Sequence, residues 1–171
     1  YNEASTLAEL LRRVHEVDFP KEVLVVDDGS DEKTKALLEA SALAGAKLIT
    51  HERNMGKGTA IRTGLAQATG DAVIIQDADL EYYPADYLDL IETYQTQKAQ
   101  AVYGVRDLSR RSVLMRQGNR MMTWATNILY GVRLHDMETC YKLVDRHLMQ
   151  SLNLESRRFE IEAEITAKLL R

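Results

Sequence analysis

The sequence predicts an α/β fold in which a mostly parallel sheet is flanked by helices. Short apolar runs rich in β-branched residues alternate with amphipathic segments of about ten residues, which is typical of βαβ units. Charged side chains directly follow three of these runs, at the strand ends where such sheets bind ligands. A chain of 171 residues, of which 45% are hydrophobic, is sufficient for one domain with its own core.

The predicted elements follow from hydrophobic periodicity and turn signals. Thr6 and Glu9 have the spacing of a capping box, and the apolar residues after them recur on one helical face. The later predicted elements are strand 23–26, helix 33–43, strand 47–50, helix 59–68, strand 72–76, helix 85–96 and strand 101–105. Because strands and helices alternate, the sequence predicts parallel pairing between the strands.

Composition and charge argue against several classes of protein. The formal net charge is −4, whereas a nucleic-acid-binding protein normally carries a basic excess. Cys140 is the single cysteine, so no intrachain disulfide forms and a reducing cytosolic setting is allowed. The histidines lack the spacing of a zinc site. The sequence begins at Tyr1 without a methionine and stops at Arg171 inside a helical pattern, so we expect residues 1–171 to be one domain shortened at both ends.

Residues 77–81, the second acidic turn, carry three carboxylates directly after a predicted strand: Asp77, Asp79 and Glu81. Carboxylates this close repel one another unless a cation or hydrogen bonds offset their charge. Hard divalent cations bind such oxygen ligands and share them with substrate phosphates, and a metal held there can neutralise a diphosphate leaving group. The alternative is a solvated acidic turn that caps the helix near Pro84.

Residues 27–30, the first acidic turn, follow the predicted strand 23–26 and begin with Asp27 and Asp28. A carboxylate at a strand end can accept hydrogen bonds from a base N–H group or from a ribose hydroxyl. The alternative is an Asx turn that leads into the next helix.

A glycine-containing segment over residues 54–58 places Lys57 between Gly56 and Gly58. Such a segment can let backbone N–H groups and a lysine approach phosphates. Its glycine spacing matches neither a P-loop nor a dinucleotide fingerprint. The segment on its own therefore does not identify a phosphate site.

The balance of charge reverses between residues 106 and 133. The basic residues there are Arg106, Arg110, Arg111, Arg116, Arg120 and Arg133, against the single acid Asp107. Leucines, methionines and the only tryptophan of the chain, Trp124, are interleaved with them. Arginines beside such an apolar surface suit an anionic head group at a membrane interface. The alternative is an amphipathic core helix with a solvated basic face.

The last polar cluster covers residues 135–142. Asp136 and Glu138 could serve acid–base chemistry, and Lys142 could contact a phosphate. The alternatives are structural: an acid that orders a turn, and a cysteine, Cys140, that packs as a small hydrophobic residue rather than acting as a nucleophile.

These motifs, taken in order, resemble those of family 2 glycosyltransferases over essentially the whole chain. The matching segments are Tyr1-Asn2-Glu3, Val25-Val26-Asp27-Asp28-Gly29-Ser30, Asn54-Met55-Gly56-Lys57-Gly58 with Gly64, and Asp77-Ala78-Asp79. The resemblance implies the nucleotide-diphospho-sugar transferase fold (GT-A), a Rossmann-like, mostly parallel sheet flanked by helices. It also implies that a further strand precedes Tyr1 in the middle of the sheet.

Within that family the sequence is most similar to polyprenyl-phosphate sugar transferases. Their metal motif resembles residues 77–81, which implies that Asp79 and Glu81, with Asp77, bind Mg²⁺ or Mn²⁺. Gly104-Val105-Arg106 stands where they carry Gly-Ser-Arg. Residues 136–142 resemble another of their segments, with Cys140 in place of a glycine that readily adopts positive φ. The residues placed like their acceptor-phosphate contacts are Arg116, Arg120 and Thr123.

The resemblance implies an inverting transferase that moves a sugar from a UDP- or GDP-sugar to a polyprenyl phosphate at the inner, cytoplasmic face of the membrane. The expected contacts to the nucleotide sugar are Tyr1, Glu3, Asp27, Asp28, Lys57, Asp77 and Ala78, and the expected catalytic residues are Asp79, Arg106 and Asp136. Three alternatives stay open: the same chemistry with a sugar hydroxyl as acceptor, a sugar-nucleotide pyrophosphorylase, and a catalytically silent nucleotide-binding module. The sequence fixes neither the donor sugar, nor the base, nor the oligomeric state.

Overall fold

The structure, a computed structural model, describes residues 2–40, 45–108 and 112–171. Its helices are α1 (Ala4–Glu16), α2 (Glu32–Ala40), α3 (Lys57–Gln67), a 3₁₀ turn (Pro84–Asp86), α4 (Tyr87–Thr96), α5 (Val113–Tyr130), α6 (Arg146–Ser151) and α7 (Ile161–Leu169). Its strands are β1 (Leu24–Asp27), β2 (Lys47–Thr50), β3 (Ala72–Ile74), β4 (Ala101–Tyr103) and β5 (Lys142–Asp145). Each predicted element begins within two residues of its predicted start. The end of the predicted helix 33–43 lies outside the described residues.

In the described part of the chain, the strands form two sheets. β1 and β2 pair in parallel, with Leu24 opposite Lys47 and Asp27 opposite Thr50. In the second sheet β5 lies between β3 and β4 and is antiparallel to both, so β3 and β4 run in the same direction. The α/β prediction is confirmed. The predicted parallel pairing holds for β1 and β2, but β3 and β4 pair with the unpredicted β5 rather than with each other. The residues that follow β3 and β4 still leave the sheet at the same edge.

β5 is an element that the sequence prediction missed, because it begins with Lys142 and ends with Asp145 and has no long apolar run. The side chain of Lys142 is fully buried, and its Nζ donates to Glu162 Oε2 at 2.7 Å. This contradicts the prediction that Lys142 contacts a phosphate. A buried lysine is stable only when its charge is paired and hydrogen-bonded, and Glu162 supplies that partner.

Two apolar clusters hold the layers together. The first packs α1 against α4 and the segment before β5, and its buried members are Leu10, Val14, Val17, Tyr82, Tyr87, Leu90, Cys140, Tyr141 and Leu143. The second joins β5 to α6 and α7 through Val144, Met149, Leu154, Ile161 and Ile165. Successive strand residues point to opposite faces of a sheet. Leu143 and Val144 of β5 therefore enter different clusters, and burying each contributes roughly 1.5–3 kcal/mol.

α1 begins at Ala4, two residues before the predicted capping box. Thr6 therefore lies in the first turn, where its hydroxyl donates to the carbonyl of Ala78 at 2.5 Å. Glu9 pairs with Arg12 and Arg13 on the same helix. The capping-box prediction was wrong, and the bond from Thr6 instead fastens α1 to the second acidic turn. No helix within residues 2–40, 45–108 and 112–171 is both long and apolar enough to cross a bilayer.

Candidate active site

A continuous series of contacts joins the charged residues that follow β1, β3 and β4. Gly56, just before α3, donates to Asp28 of the first acidic turn, and Lys57 beside it reaches Asp77 of the second. Arg106, which follows β4, reaches Asp136 in the loop before β5. The fold thus brings both acidic turns and Arg106 into one connected region.

Asp28 is bound by the chain itself through both carboxylate oxygens. Its Oδ1 lies 2.7 Å from His51 Nδ1 and accepts from Met55 N at 2.9 Å, and its Oδ2 accepts from Gly56 N at 2.7 Å. Burial favours the neutral acid, but these donors outweigh it and lower the pKa of Asp28. The carboxylate therefore fixes the loop that leads into α3, and the structure gives its predicted nucleotide contact no free oxygen.

Asp27, the neighbouring residue, is also buried but only half satisfied. Its Oδ1 accepts from Ser30 N at 3.2 Å, while its Oδ2 is buried and has no hydrogen-bond partner among residues 2–40, 45–108 and 112–171. The turn needs Gly29, because φ is +70° there and a Cβ would lie 2.3 Å from the backbone carbon of Arg53. A buried carboxylate oxygen without a partner is costly, and the described residues leave Asp27 Oδ2 unsatisfied.

The amino-terminal residues lie against the first acidic turn. Asn2 N donates to Ser30 Oγ, and Asn2 Oδ1 accepts from Asp31 N, both at 3.0 Å. Glu3 is half-buried, and its Oε2 lies 3.3 Å from the Thr6 hydroxyl oxygen. The predicted contact at Tyr1 lies outside the described residues.

The glycine-containing segment over residues 54–58 packs against the chain's own backbone. A Cβ on Gly56 would lie 2.3 Å from the carbonyl oxygen of Arg157, and one on Gly58 would lie 2.3 Å from that of Ser156. Thr59 N donates to the carbonyl of Arg157 at 3.2 Å. The backbone of residues 156–157 therefore packs where the side chains of these two glycines would lie. This corrects the prediction that the glycines leave that space to a phosphate.

Lys57 holds Asp77 from the side of the core. Its Nζ lies 2.8 Å from Asp77 Oδ2 and 3.0 Å from Glu162 Oε1, and the other oxygen of Glu162 binds the buried Lys142. Burial disfavours the charged lysine, but Asp77 and Glu162 outweigh it and raise the pKa of Lys57. Lys57 is therefore a cation at neutral pH that fixes Asp77 to a buried ion network.

The second acidic turn is strained at its centre. Leu80 has φ +59°, a left-handed conformation that a leucine seldom adopts, and its side chain packs against the first apolar cluster. Asp79 Oδ1 accepts from Glu81 N at 3.1 Å, and the side chains of Asp79 and Glu81 are exposed. Backbone strain of this kind costs on the order of 1–3 kcal/mol and clusters at ligand sites.

The donor set of this turn fits a hard divalent cation only in part. Within the described ranges no three acidic, histidine or cysteine side chains converge as a metal site, so Asp77, Asp79 and Glu81 are not brought together. Mg²⁺ is commonly bound by one or two carboxylates together with substrate phosphates. Asp77 and the exposed Asp79 fit that arrangement, and the assignment of the metal ligands stays a prediction. Tyr83, at the N-cap of the 3₁₀ turn, makes no side-chain capping hydrogen bond within the described part of the chain.

Tyrosine hydroxyls link the second acidic turn to the loop before β5. Tyr87 and Tyr141 both donate to Gln76 Oε1, at 2.7 and 2.6 Å, and Tyr82 accepts from Cys140 N at 2.9 Å. Cys140 is not among the residues with positive φ, so the backbone does not require a glycine there. Burial raises the pKa of its thiol to about 12, which agrees with a packed, unreactive cysteine.

Arg106 and Asp136 form a bidentate ion pair. Arg106 Nε and Nη2 donate to the two oxygens of Asp136 at 2.7 and 2.8 Å, and Nη2 also reaches Asn119 Oδ1 at 3.3 Å. Hydrogen bonds with Asp136 raise the pKa of Arg106. Burial favours the neutral form of Asp136, but Arg106 outweighs it and lowers the pKa. Asp136 is therefore an ionised positioning group whose oxygens are already engaged.

A cavity of about 310 Å³ lies between Arg106 and α5. It is lined by Arg106, Leu108, Met115, Gly118, Asn119, Met122 and Glu138. Neither Arg116 nor Arg120 lines it, because the helical period turns them away from Met115 and Met122. Thr123 is buried and accepts from Met137 N at 3.2 Å. Of the residues predicted to contact substrate, the structure brings Arg106 to this cavity, and Arg116, Arg120 and Thr123 lie elsewhere.

Sequence reasoning missed the partners that fix these side chains. His51 binds Asp28 and also Thr63 Oγ1 at 2.9 Å, and Glu162 joins Lys57 to Lys142. Glu162 did carry a signal, because helical spacing puts it on the same face as Ile165 in α7, where both are buried. A lone acid on an apolar helix face indicates a buried cation nearby.

The chain is similar in sequence to known proteins. Residues 1–152 match the model of the family described as Glycosyl transferase family 2. The undecaprenyl-phosphate 4-deoxy-4-formamido-L-arabinose transferase of Pseudomonas paraeruginosa is 32% identical over 159 residues, which cover 89% of this chain and 47% of that protein. The transferase of the same name from Sodalis glossinidius is 31% identical and covers 89% and 48%. The chain spans about half the length of the curated relatives it matches.

Solved structures share the fold at lower identity. A glucosyl-3-phosphoglycerate synthase from Mycobacterium tuberculosis, in complex with Mn²⁺, UDP-glucose and phosphoglyceric acid, superposes with a TM-score of 0.75 at 23% identity, covering 96% of this chain and 60% of that one. Its complex with UDP gives a TM-score of 0.71 at 22% identity and the same coverage. These likenesses confirm the predicted glycosyltransferase fold.

Proposed function

Because this chain belongs to glycosyl transferase family 2, we propose that it moves a sugar from a nucleotide diphosphate donor to a polyprenyl phosphate, with inversion at the sugar carbon. The observation that carries the proposal is the connected region at the strand ends. Asp79 is exposed there, while Lys57 fixes Asp77 and Asp136 fixes Arg106. The curated relatives named for transfer to undecaprenyl phosphate support the choice of acceptor.

Donor binding uses both acidic turns. Asp27 Oδ2, buried without a partner, accepts from a base N–H group or a ribose hydroxyl, and Asp28 holds the loop beside it. Asp77 and Asp79 hold Mg²⁺ or Mn²⁺, which supplies charge neutralisation for the diphosphate leaving group when bound. Lys57 orients Asp77 and places a fixed positive charge near the same diphosphate.

The acceptor enters the cavity beside α5. The Arg106 guanidinium binds the lipid phosphate, and Met115 and Met122 line the path of the first isoprene units. A phosphate monoester has a second pKa of about 6 and is mostly dianionic at pH 7, so it attacks the sugar without a protein base. Asp136 then orients Arg106. We place the reaction at the cytoplasmic face of a membrane, where a soluble donor and a lipid acceptor meet.

A sugar hydroxyl is the second candidate acceptor, because Glu138 lines the same cavity. A hydroxyl is a poor nucleophile at neutral pH and requires a carboxylate to take its proton, and losing such a base typically costs about 100- to 10,000-fold in rate. Glu138→Gln decides between the two acceptors. We expect transfer to polyprenyl phosphate to be nearly unchanged in this variant, and a loss of on the order of a thousandfold would favour the hydroxyl acceptor.

Calorimetry with UDP-, GDP- and dTDP-sugars, with and without Mn²⁺, tests the donor and the metal. We expect one base to bind, and to bind only with metal. Asp79→Asn removes an anionic ligand and should cost several kcal/mol of transition-state stabilisation, about a hundredfold or more in rate. Asp18→Asn, an exposed aspartate in the turn after α1, is the matched control. Equal affinity with and without metal would show that the second acidic turn is not a metal site.

A further inference from the structure

The outward face of α5 is apolar. Its exposed apolar residues are Val113, Leu114, Met115, Met121, Met122, Trp124, Ile128 and Leu129. Leu114 and Leu129 are 83% and 75% exposed. A surface helix normally turns its apolar side to the core and its polar side to water, and α5 does the reverse.

The inward face of α5 is polar and is attached to the domain by hydrogen bonds. Asn119 accepts from Arg106, Thr123 accepts from a backbone N–H of the loop that follows α5, and Asn127 exchanges two hydrogen bonds with the backbone of Leu134 at 2.8 and 2.9 Å. Asn119, Thr123 and Asn127 are four residues apart, so they lie on one side of the helix. These contacts fix the rotation of α5 and leave its apolar side directed away from the domain.

The border of this apolar face is basic. No acidic residue occurs between Asp107 and Asp136, although the chain as a whole has a net charge of −4. Arg120 is exposed and lies one helical turn from Trp124, and Arg133 follows the helix and is exposed as well. A second copy packed face to face on α5 would bring two basic borders together with no acid on either helix to offset them.

We propose that the apolar face of α5 docks on an anionic lipid bilayer, with the helix lying in the plane of the interface. An apolar stripe of Trp, Leu, Ile and Met beside arginines suits burial at the boundary between head groups and acyl chains, and anionic lipids attract the basic border. The inference deepens the proposed function and rests on it for the role of the bilayer as the source of the acceptor. Met115 and Met122 lie on α5 and also line the cavity at Arg106, so docking places that cavity at the lipid surface.

Trp124, the only tryptophan of the chain and 65% exposed, reports docking directly. The purified chain is mixed with vesicles of phosphatidylcholine and phosphatidylglycerol that contain neither acceptor nor donor. We expect a blue shift of the Trp124 emission, quenching by lipids brominated in the acyl chain, and co-sedimentation that weakens with salt and with neutral vesicles. The double variant Leu114→Glu, Leu129→Glu should weaken binding by about a hundredfold or more, since each substitution loses the transfer of a leucine side chain from water to lipid.

Leu88→Glu is the matched control, because Leu88 is an exposed leucine on α4, away from α5. Circular dichroism checks that all variants are folded. Three results overturn the proposal: no binding to anionic vesicles, binding that the double variant retains, or self-association that the double variant abolishes. Turnover of a short, water-soluble isoprenyl phosphate tests the proposed function without a bilayer. If the wild-type chain does not turn over this substrate, the transferase assignment is rejected, and the vesicle experiment still decides whether α5 docks on a bilayer.

Discussion

The two acidic turns end two strands with the same residue type, yet the structure treats their four aspartates differently. In each turn the chain binds one aspartate itself: Asp28 by His51 and the loop before α3, and Asp77 by Lys57. In each turn the other aspartate is the one that we propose for a ligand. On this proposal one carboxylate builds the turn, and its neighbour, or next neighbour, binds the ligand.

The two available carboxylates differ in burial. Asp27 is 4% exposed and its Oδ2 has no partner, whereas Asp79 is exposed to solvent. A buried unpaired oxygen requires a hydrogen-bond donor that fits closely, as a base or ribose does. An exposed carboxylate is solvated until a cation replaces its water. Burial therefore supports our proposal that the first turn binds the nucleoside and the second binds the metal and the diphosphate.

Among the variants that distinguish aspartates holding the turn from aspartates proposed to bind a ligand, Asp28→Asn is expected to have the largest effect on stability. The NH₂ group of the introduced asparagine would face at least one of the N–H donors that now bind Asp28, which belong to His51, Met55 and Gly56. An unsatisfied buried donor costs about 1–3 kcal/mol, so we expect the free energy of unfolding in urea to fall by roughly 2 kcal/mol. An unchanged unfolding free energy would show that Asp28 does not hold the loop.

The same variant changes the response to acid. The pKa of Asp28 in the folded protein is lower than its value in the unfolded chain, which is about 4. Its contribution to stability is therefore complete above about pH 4 and is lost as the pH falls through the lowered value. Urea midpoints of wild type and Asp28→Asn should accordingly converge below about pH 4. A gap that stays constant as the pH falls through that range would point to packing rather than charge.

A smaller effect is expected for Asp136→Asn, which extends the comparison to a third carboxylate held by the chain. Because both oxygens of Asp136 bind Arg106, we expect a positioning role and a loss in kcat on lipid phosphate below the roughly 100-fold minimum that removal of a general base produces. A loss of about a thousandfold in a folded variant would identify Asp136 as the base and sink the base-free mechanism.

The sequence was sufficient to predict where the strands end and which residue types follow them, because period and turn chemistry are local. It could not predict which aspartate of each pair is satisfied, since His51, Gly56 and Lys57 come from another segment of the chain. It also could not orient α5. The apolar stripe of that helix was compatible with a membrane interface or with the core, and only the hydrogen bonds of Asn119, Thr123 and Asn127 show which side faces the domain. β5 escaped prediction because a buried ion pair, rather than an apolar run, accommodates Lys142.

Asp27→Asn should have the smallest effect on stability. It is the sharpest test of the comparison, because we expect it to weaken nucleotide binding without lowering the free energy of unfolding. In the folded protein Asp27 Oδ2 has no partner, so replacing it by an amide removes a buried charge and breaks no hydrogen bond. The amide oxygen would continue to accept from Ser30 N, which leaves the NH₂ group where the free oxygen stood. We therefore expect the unfolding free energy of Asp27→Asn not to fall.

Nucleotide binding should weaken in the same variant. A donor group on the nucleoside would now meet another donor, and a hydrogen bond to a charged group is worth roughly 1.5–3 kcal/mol. Nucleotide affinity measured by calorimetry with Mn²⁺ should weaken about tenfold or more. If Asp27→Asn instead loses stability as Asp28→Asn does, while its nucleotide affinity stays at the wild-type value, then both aspartates build the turn and the nucleoside binds elsewhere.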